Sequence, residues 1–291
     1  MADIVHHYNP FAKRETHTRN ALNAYRVLAP LSWLLVVVVG IFYSIHKPDD
    51  VAHRHTVWEQ TQKHPTPFSQ SSVVTAIFWI TLLISQLGYI ANLFSSEPVK
   101  VTAAANVASF FVLNNLFVLT FILLWVRSRF WGAEIIDIAN LISQSIVYWK
   151  HQGLPLDIHL PAVAGPYAWT LSTLFWNGAV AIGGDSTAKS IMANIFIWVL
   201  FVFGQGHLAH RGDFAYGYAL SLLTLSLALK QFSLKIISLQ WIFAFVIFAV
   251  FFVTSLSTSV ARYKNRDFFF RSLAEPAETA DRERQPLLSE E

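Results

Sequence analysis

Of 291 residues, 54% are hydrophobic and only 13% are Asp, Glu, Lys or Arg, against about 25% charged in an ordinary soluble domain. That deficit, together with 24 Phe and 10 Trp, describes a chain whose surface faces lipid. A net charge of +3, basic residues gathered towards the two ends and no cysteine exclude a nucleic-acid footprint, disulfides, thiolate metal sites and cysteine nucleophiles.

Residues 1–25 are polar and basic, and the apolar run Leu28 to Ile45 is close to the roughly 20 residues a span needs. Its length and flanks predict a retained first span rather than a cleaved signal. The tail carries Asn9-Pro10-Phe11, which resembles the tripeptide bound by EH domains: a turn preset by Pro10 would offer Phe11 to a pocket. Lys47 to Ser72 is a polar loop with His53, His55 and His64; neutral imidazoles suit zinc or copper, but no third, closing ligand is evident, and a solvated loop is the plainer reading.

Val73 to Phe94 is the expected second span and Ala103 to Val126 the third, with Asn114 and Asn115 near its centre. One of these amides should face the interior, where amides join helices at well under 2 kcal/mol each. The link from Arg127 to Trp131 leads into Trp131 to Trp149, which with the third span is the stretch around which the chain is expected to be organised. At 100° per residue, Ile135, Ala139, Ile142 and Ile146 share one stripe, whereas Asp137, Asn140 and Gln144 lie opposite, with Glu134 at their edge. Trp at both ends, Arg129 before and Lys150 after are interfacial anchors. At ~1.5 Å per residue Glu134 is about 4 to 5 Å beyond Trp131 and Asp137 about 9 Å. Glu134 is thus expected to pair with Arg127 or Arg129. Asp137 is the acid whose depth marks it for function, unless the segment lies flat in the interface.

Leu160 to Ile182 is the fifth expected span, opening on Pro161 and Gly165-Pro166 and closing on a glycine turn. Ile191 to Gly206 is the sixth, followed by His207, His210 and Asp213, which are weak metal candidates or simple helix-end capping and charge. Phe214 to Leu229 is a short seventh, lengthened by a snorkelling Lys230, and Ile236 to Val260 is the eighth. No histidine falls at mid-membrane, which argues against a haem held between helices; no cofactor is expected. The charged segment from Arg262 onward is too polar to fold alone. It ends with Glu283 four residues before Leu287-Leu288, the pattern of an acidic dileucine signal read by clathrin adaptors in the cytosol.

The fold expected is therefore all-α: a polytopic transmembrane helix bundle of about eight spans, or seven if 131–149 is interfacial. It divides into a cytosolic tail (1–25), a membrane domain (26–260) and a disordered cytosolic tail (261–291). With eight spans and both termini cytosolic, thirteen of the 21 Lys and Arg fall on the cytosolic side, as the positive-inside rule requires.

Several runs resemble a fungal multispan membrane family. They include Asn20 to Arg26, His46-Lys47-Pro48, His53 to Trp58, Thr66-Pro67-Phe68, Ala103 to Asn106, Leu123 to Arg127, Gly165-Pro166, Leu239 to Phe243 and Asp281 to Leu288. That family is a domain of unknown function which includes the yeast ionic-liquid tolerance protein. The likeness implies a fungal endomembrane protein and supplies no catalytic residue. Three functions fit. The first is non-enzymatic binding or movement of a small molecule in a vacuolar or endosomal membrane, with Asp137, Asn140, Gln144 and Asn114 as polar interior. The second is a scaffold or trafficking factor acting through its tails. The third is a metal-dependent lipid enzyme using His207, His210 and Asp213.

Overall fold

Thr18, in extended conformation, accepts a hydrogen bond from the Ala21 N–H and so starts the first helix, α1, Arg19–Ile45, inside the segment expected as tail. In the computed structural model, which describes residues 9–52, 54–183, 187–236 and 240–263 and the backbone alone at 187–190, seven more long helices follow. They are α3 (Ser72–Asn92), α4 (Pro98–Trp125), α5 (Phe130–Lys150), α6, α7 (Thr187–Arg211), α8 (Phe214–Leu234) and α9 (Gln240–Tyr263). A short α2 (Val57–Lys63) precedes α3. α6 is one rod of three segments: α-helical Leu156–His159, a π-helical turn Leu160–Ala164 and α-helical Gly165–Ile182. The described residues hold no strand.

The long helices alternate in direction, and contacts between their ends define two faces of the bundle. At the near face Arg26 Nε donates to the Leu93 carbonyl (2.9 Å), Asn92 to Asp157 (2.9 Å) and Arg211 to the Tyr148 carbonyl (3.0 Å). At the far face Arg127 holds Asp50 (2.8 Å), and Gln231 donates to the Thr66 carbonyl (2.9 Å).

Five helices are long and apolar enough to cross a membrane: Arg19–Ile45, Ser72–Asn92, Pro98–Trp125, Ile191–Arg211 and Gln240–Tyr263. Their outward side chains (Val27, Leu31, Val38, Ile77, Ile84, Val202, Val253) form a broad exposed apolar surface, far beyond the few hundred Å² of patch that soluble monomers show. The chain has the character of an integral membrane protein.

The most enclosed rod is α6. Residues 161–171 are all buried, and α6 touches α3, α4, α5, α7 and α8. The centre is therefore α6, and not the α4–α5 pair that the sequence singles out; the acids on α5 face it. Two prolines shape α6. Gly165 N–H bonds the Leu160 carbonyl and Pro166 has no N–H, so the Pro161 carbonyl loses its helical donors. Gln86 of α3 supplies one from its side chain (3.3 Å), which is how a broken helix is tolerated away from water. Gly165 lets α3 approach, since a Cβ there would stand 2.6 Å from Leu82 Cδ1.

Residues 46–71 depart furthest from expectation. Thr56 and Glu59 form a capping box that starts α2. Gln60 then donates to the Trp125 carbonyl (3.1 Å) and Ser128 Oγ (2.8 Å). Thr66, Phe68, Ser69 and Gln70 are buried: Gln70 donates to Ser172 Oγ (2.6 Å), and Phe68 packs on Phe175 of α6. The expected solvated loop is a plug over the far face. His55 and His64 sit in it without forming a metal set, and His53 lies outside the described residues.

α7, α8 and α9 meet at small residues, as helices in lipid commonly do. A Cβ on Gly217 would collide with Ser255 Oγ and come within 2.8 Å of Leu208, whereas Gly88 has nothing within 4 Å. Gly217→Val should therefore destabilise the bundle by about 1–3 kcal/mol, read as a lower Tm in detergent. Gly88→Ala should leave Tm unchanged or slightly raised.

Candidate functional site

α5 presents two opposite faces. Ile135 (65% exposed), Ile138, Ile142 (58%) and Ile146 point outward, whereas Glu134, Asp137, Asn140, Ser143, Gln144 and Tyr148 are buried towards α4 and α6, with Tyr148 also reaching Tyr216 of α8. A helix lying flat at an interface turns its polar face to water; this one turns it into protein.

The inward groups differ in how they are satisfied. Glu134 does not pair with Arg127 or Arg129. Its Oε2 accepts from Asn177 Nδ2 of α6 (2.7 Å), which also reaches the Phe130 carbonyl (3.1 Å). Gly178 makes room, since a Cβ there would lie 3.0 Å from Glu134 Oε1. Arg127 instead binds Asp50 (2.8 Å), Tyr43 Oη (3.2 Å) and the Leu123 carbonyl (2.9 Å). The reason is geometric: Glu134 falls on the α6 side of α5, and the arginine has acceptors nearer to hand. Both Asn114 and Asn115 face inward, towards different helices. Asn114 Oδ1 accepts from Asn140 Nδ2 (3.0 Å), and Asn115 Nδ2 donates to Ser32 Oγ of α1 (3.2 Å).

Asp137 is 4% exposed and its Oδ2 is buried with no hydrogen-bond partner; the same holds for Asn140 Oδ1, Ser143 Oγ and both ends of the Gln144 amide. Asp137 and Asn140 face a cavity of about 10 Å³ walled by Phe117, Val118, Phe121, Ile136 and Trp169, which is room for roughly one water. A carboxylate so placed is either neutral or meets a cation supplied from outside the protein.

One helical stretch towards the near face lies a second cluster, built from residues that no sequence pattern joins. The rings of Tyr148 (α5), Tyr167 (α6) and Tyr216 (α8) pack together with centroids 4.9–5.4 Å apart. Ser145 Oγ donates to Tyr167 Oη (3.2 Å), which also bonds His207 Nε2 (3.1 Å). Asp213 caps α8 through the Tyr216 N–H (3.1 Å) and pairs with His159 Nε2 (2.7 Å). Burial pushes the Asp213 carboxyl up, but His159, the cap N–H and Tyr148 more than offset it and hold it below the usual carboxylate range. The Tyr148 hydroxyl thus acts on Asp213, yet is buried short of hydrogen-bond geometry.

This arrangement separates the three weak metal candidates. α7 runs on to Arg211, so His207 and His210 lie within its last turns. His207 is committed to Tyr167 and the Phe203 carbonyl (2.8 Å), His210 packs beside Trp149 and Asp213 belongs to His159. Among the described residues no three His, Asp or Glu side chains gather as a metal set.

The motif Asn9-Pro10-Phe11 does form a turn, with Ala12 N–H bonding the Asn9 carbonyl (3.2 Å) and Asn9 Oδ1 accepting from Phe11 N–H (2.9 Å). Phe11, however, packs on Phe110 at 4.9 Å, and its carbonyl accepts from Lys150. The turn folds the ring onto the bundle rather than presenting it to a partner. Glu283, Leu287 and Leu288 lie outside the described residues.

With the geometry in hand, comparison with known proteins adds one match: the family described as "Fungal protein of unknown function (DUF1774)" fits residues 190–288, which spans most of α7, all of α8 and α9 and residues beyond. No curated protein and no solved structure matches the chain.

His151, just after α5, was not singled out by its sequence context. It is 1% exposed, neither ring nitrogen has a partner, and it lies edge-on to Phe110. Burial, then the charges of Lys150 and Lys13, lower its pKa from 6.5 to about 4. A depressed pKa means the folded state resists a proton that the unfolded state takes. The associated stability is present above pH 6.5 and is lost as pH falls towards 4. Thermal unfolding of purified protein across that window should show a falling Tm, and His151→Phe should flatten the fall.

Proposed function

We propose that the protein is an eight-span membrane protein, both termini cytosolic, that binds or moves a small solute through a polar interior centred on Asp137. The observation that carries this reading is Asp137 itself: a buried acid with an unpartnered oxygen, facing a small cavity at the core of a bundle whose outer surface is apolar. Intramembrane acids are costly, and a purely structural one is normally paired, as Glu134 is by Asn177. Asn140, Gln144 and Asn114 extend the polar interior. Glu134 is assigned a structural role, joining α5 to α6.

Counting α5, α6 and α8 as spans in addition to the five most apolar helices is supported by their length. At ~1.5 Å per residue a 21-residue helix such as α5 or α8 measures about 31 Å, the thickness of the hydrocarbon core. Their lower apolarity follows from position, since enclosed helices face protein more than lipid. The acidic dileucine pattern at Glu283, Leu287 and Leu288 supports delivery by a clathrin adaptor to a vacuolar or endosomal membrane, on the premise that the near face is cytosolic. A metal-dependent lipid enzyme finds no support in the placement of His207, His210 and Asp213.

The isosteric pair Asp137→Asn and Glu134→Gln tests the assignment. Glutamine at 134 keeps an acceptor for Asn177, whereas asparagine at 137 removes the titratable group without changing shape. In a fungal strain lacking the gene, complemented at matched protein levels and scored on a panel of toxic solutes, Asp137→Asn should fail to complement. Glu134→Gln should retain most function. Equal effects of the two variants would contradict the reading.

A further inference from the structure

We infer that Asp137 exchanges its proton with the near face alone, along the inner side of α5 through Asn140, Gln144 and Tyr148 to the His159–Asp213 pair. This rests on the reading of Asp137 as the working acid of a spanning α5, and adds what that acid handles and from which side.

The first ground is size. A cavity of about 10 Å³ admits a water or a proton carrier, and no organic cation fits beside Asp137 in this conformation.

The second ground is a row of unmet hydrogen-bonding groups. Four inward hydroxyls elsewhere in the bundle satisfy themselves on their own helix: Thr170 on the Pro166 carbonyl (3.1 Å), Thr173 on Trp169 (2.8 Å), Thr224 on Leu220 (2.8 Å) and Ser255 on Phe251 (2.7 Å). The α5 row does not. Asp137 Oδ2, Asn140 Oδ1, Gln144 Nε2 and Oε1 and Tyr148 Oη are all buried without partners. Buried polar groups in native proteins are nearly always satisfied, so a row of exceptions on one helix face points to a partner from outside the chain. Successive members are three or four residues apart, hence about 5–6 Å along the axis. None of these atoms is bonded to the next member of the row, and the spacing is within the reach of one bridging water.

The third ground is that the row of unmet groups leads to a titratable pair at the near face, whereas the acid on its far side, Glu134, is tied to Asn177. Asp213 is met by His159 from α6, Tyr148 from α5 and the Tyr216 N–H of α8, Arg211 from the end of α7 lies over the Tyr148 ring (4.8 Å), and the pair is nearly buried, at 15% and 10% side-chain exposure. Towards the far face the path stops. Glu134 is bonded to Asn177, and the plug around Phe68 and Gln70 packs over α6 beyond it. Around Asp137 itself the titratable neighbour is Glu134 of its own helix; the cavity walls offered by α4 and α6 are Phe117, Val118, Phe121 and Trp169. Access from one side with the other closed is the condition that lets an acid couple proton movement to a conformational cycle.

Infrared hydrogen–deuterium exchange on the full chain in lipid nanodiscs tests this. The protonated-carboxyl band that disappears in Asp137→Asn is assigned to Asp137, and its shift on transfer to D₂O gives the exchange rate. The wild type should show the band and exchange readily. Tyr148→Phe, which removes one buried hydroxyl and keeps the ring, and Asp213→Asn should each keep the band and slow its exchange by about tenfold or more, the scale on which losing a proton-transfer group acts. Absence of the band, or equal rates in the wild type and both variants, would overturn the relay. If the rates are equal while Asp137→Asn still fails to complement, the relay is wrong and the Asp137 site stands. If the variants slow exchange while Asp137→Asn complements fully, protons reach the acid but the solute site is wrong.

Discussion

The constraint from which the rest follows is that hydrocarbon cannot hydrogen-bond. Every polar group at membrane depth must find its partner within the protein or in what the protein encloses. α5 obeys this inside out, with isoleucines towards the surface and Glu134, Asp137, Asn140 and Gln144 towards α4 and α6. The same constraint explains Gln86, whose side chain reaches the carbonyl that Pro166 leaves open in α6, and Asn177, which holds Glu134. Where the constraint is met by protein, the group is structural. At Asp137 and along the row towards Tyr148 it is not met by the chain.

Apolarity sorts the helices by position. α1, α3, α4, α7 and α9 are apolar enough to be recognised as membrane-crossing by composition; α5, α6 and α8 are not, and α6 is the most enclosed rod of the bundle. A helix surrounded by other helices is freed from lipid and takes the polar residues, prolines and π-helical turn that lipid-facing helices avoid. Such π-helical turns are common at functional sites, and this one lies a single helical turn before Tyr167 of the near-face cluster.

The division of α5 into two faces was legible because it is local: residues three and four apart share a side whatever surrounds the helix. That the Asn114-Asn115 pair sends an amide inward was legible for the same reason, though both in fact do so. Illegible were features made by distant pairings. Glu134 and Asn177 are 43 residues apart, and nothing near Glu134 favours Asn177 over the nearby arginines. The tyrosine cluster draws single residues from three helices, and the plug looks like loop because its burial comes from Gln231 and Ser172, far along the chain. His207 and His210 read as a surface pair only while α7 is taken to end at Gly206; the helix runs on to Arg211, where Tyr167 and Trp149 meet them.

All of this requires that α5 cross the bilayer, and the chain is suited to ask, since it has no cysteine to remove. Single cysteines at Arg129 and Gln152, exposed residues flanking α5, would be labelled in sealed, oriented vesicles with a membrane-impermeant maleimide, before and after permeabilisation. A spanning α5 predicts that the two positions react from opposite sides. Labelling of both from the same side would place α5 in the interface and contradict the account at its centre.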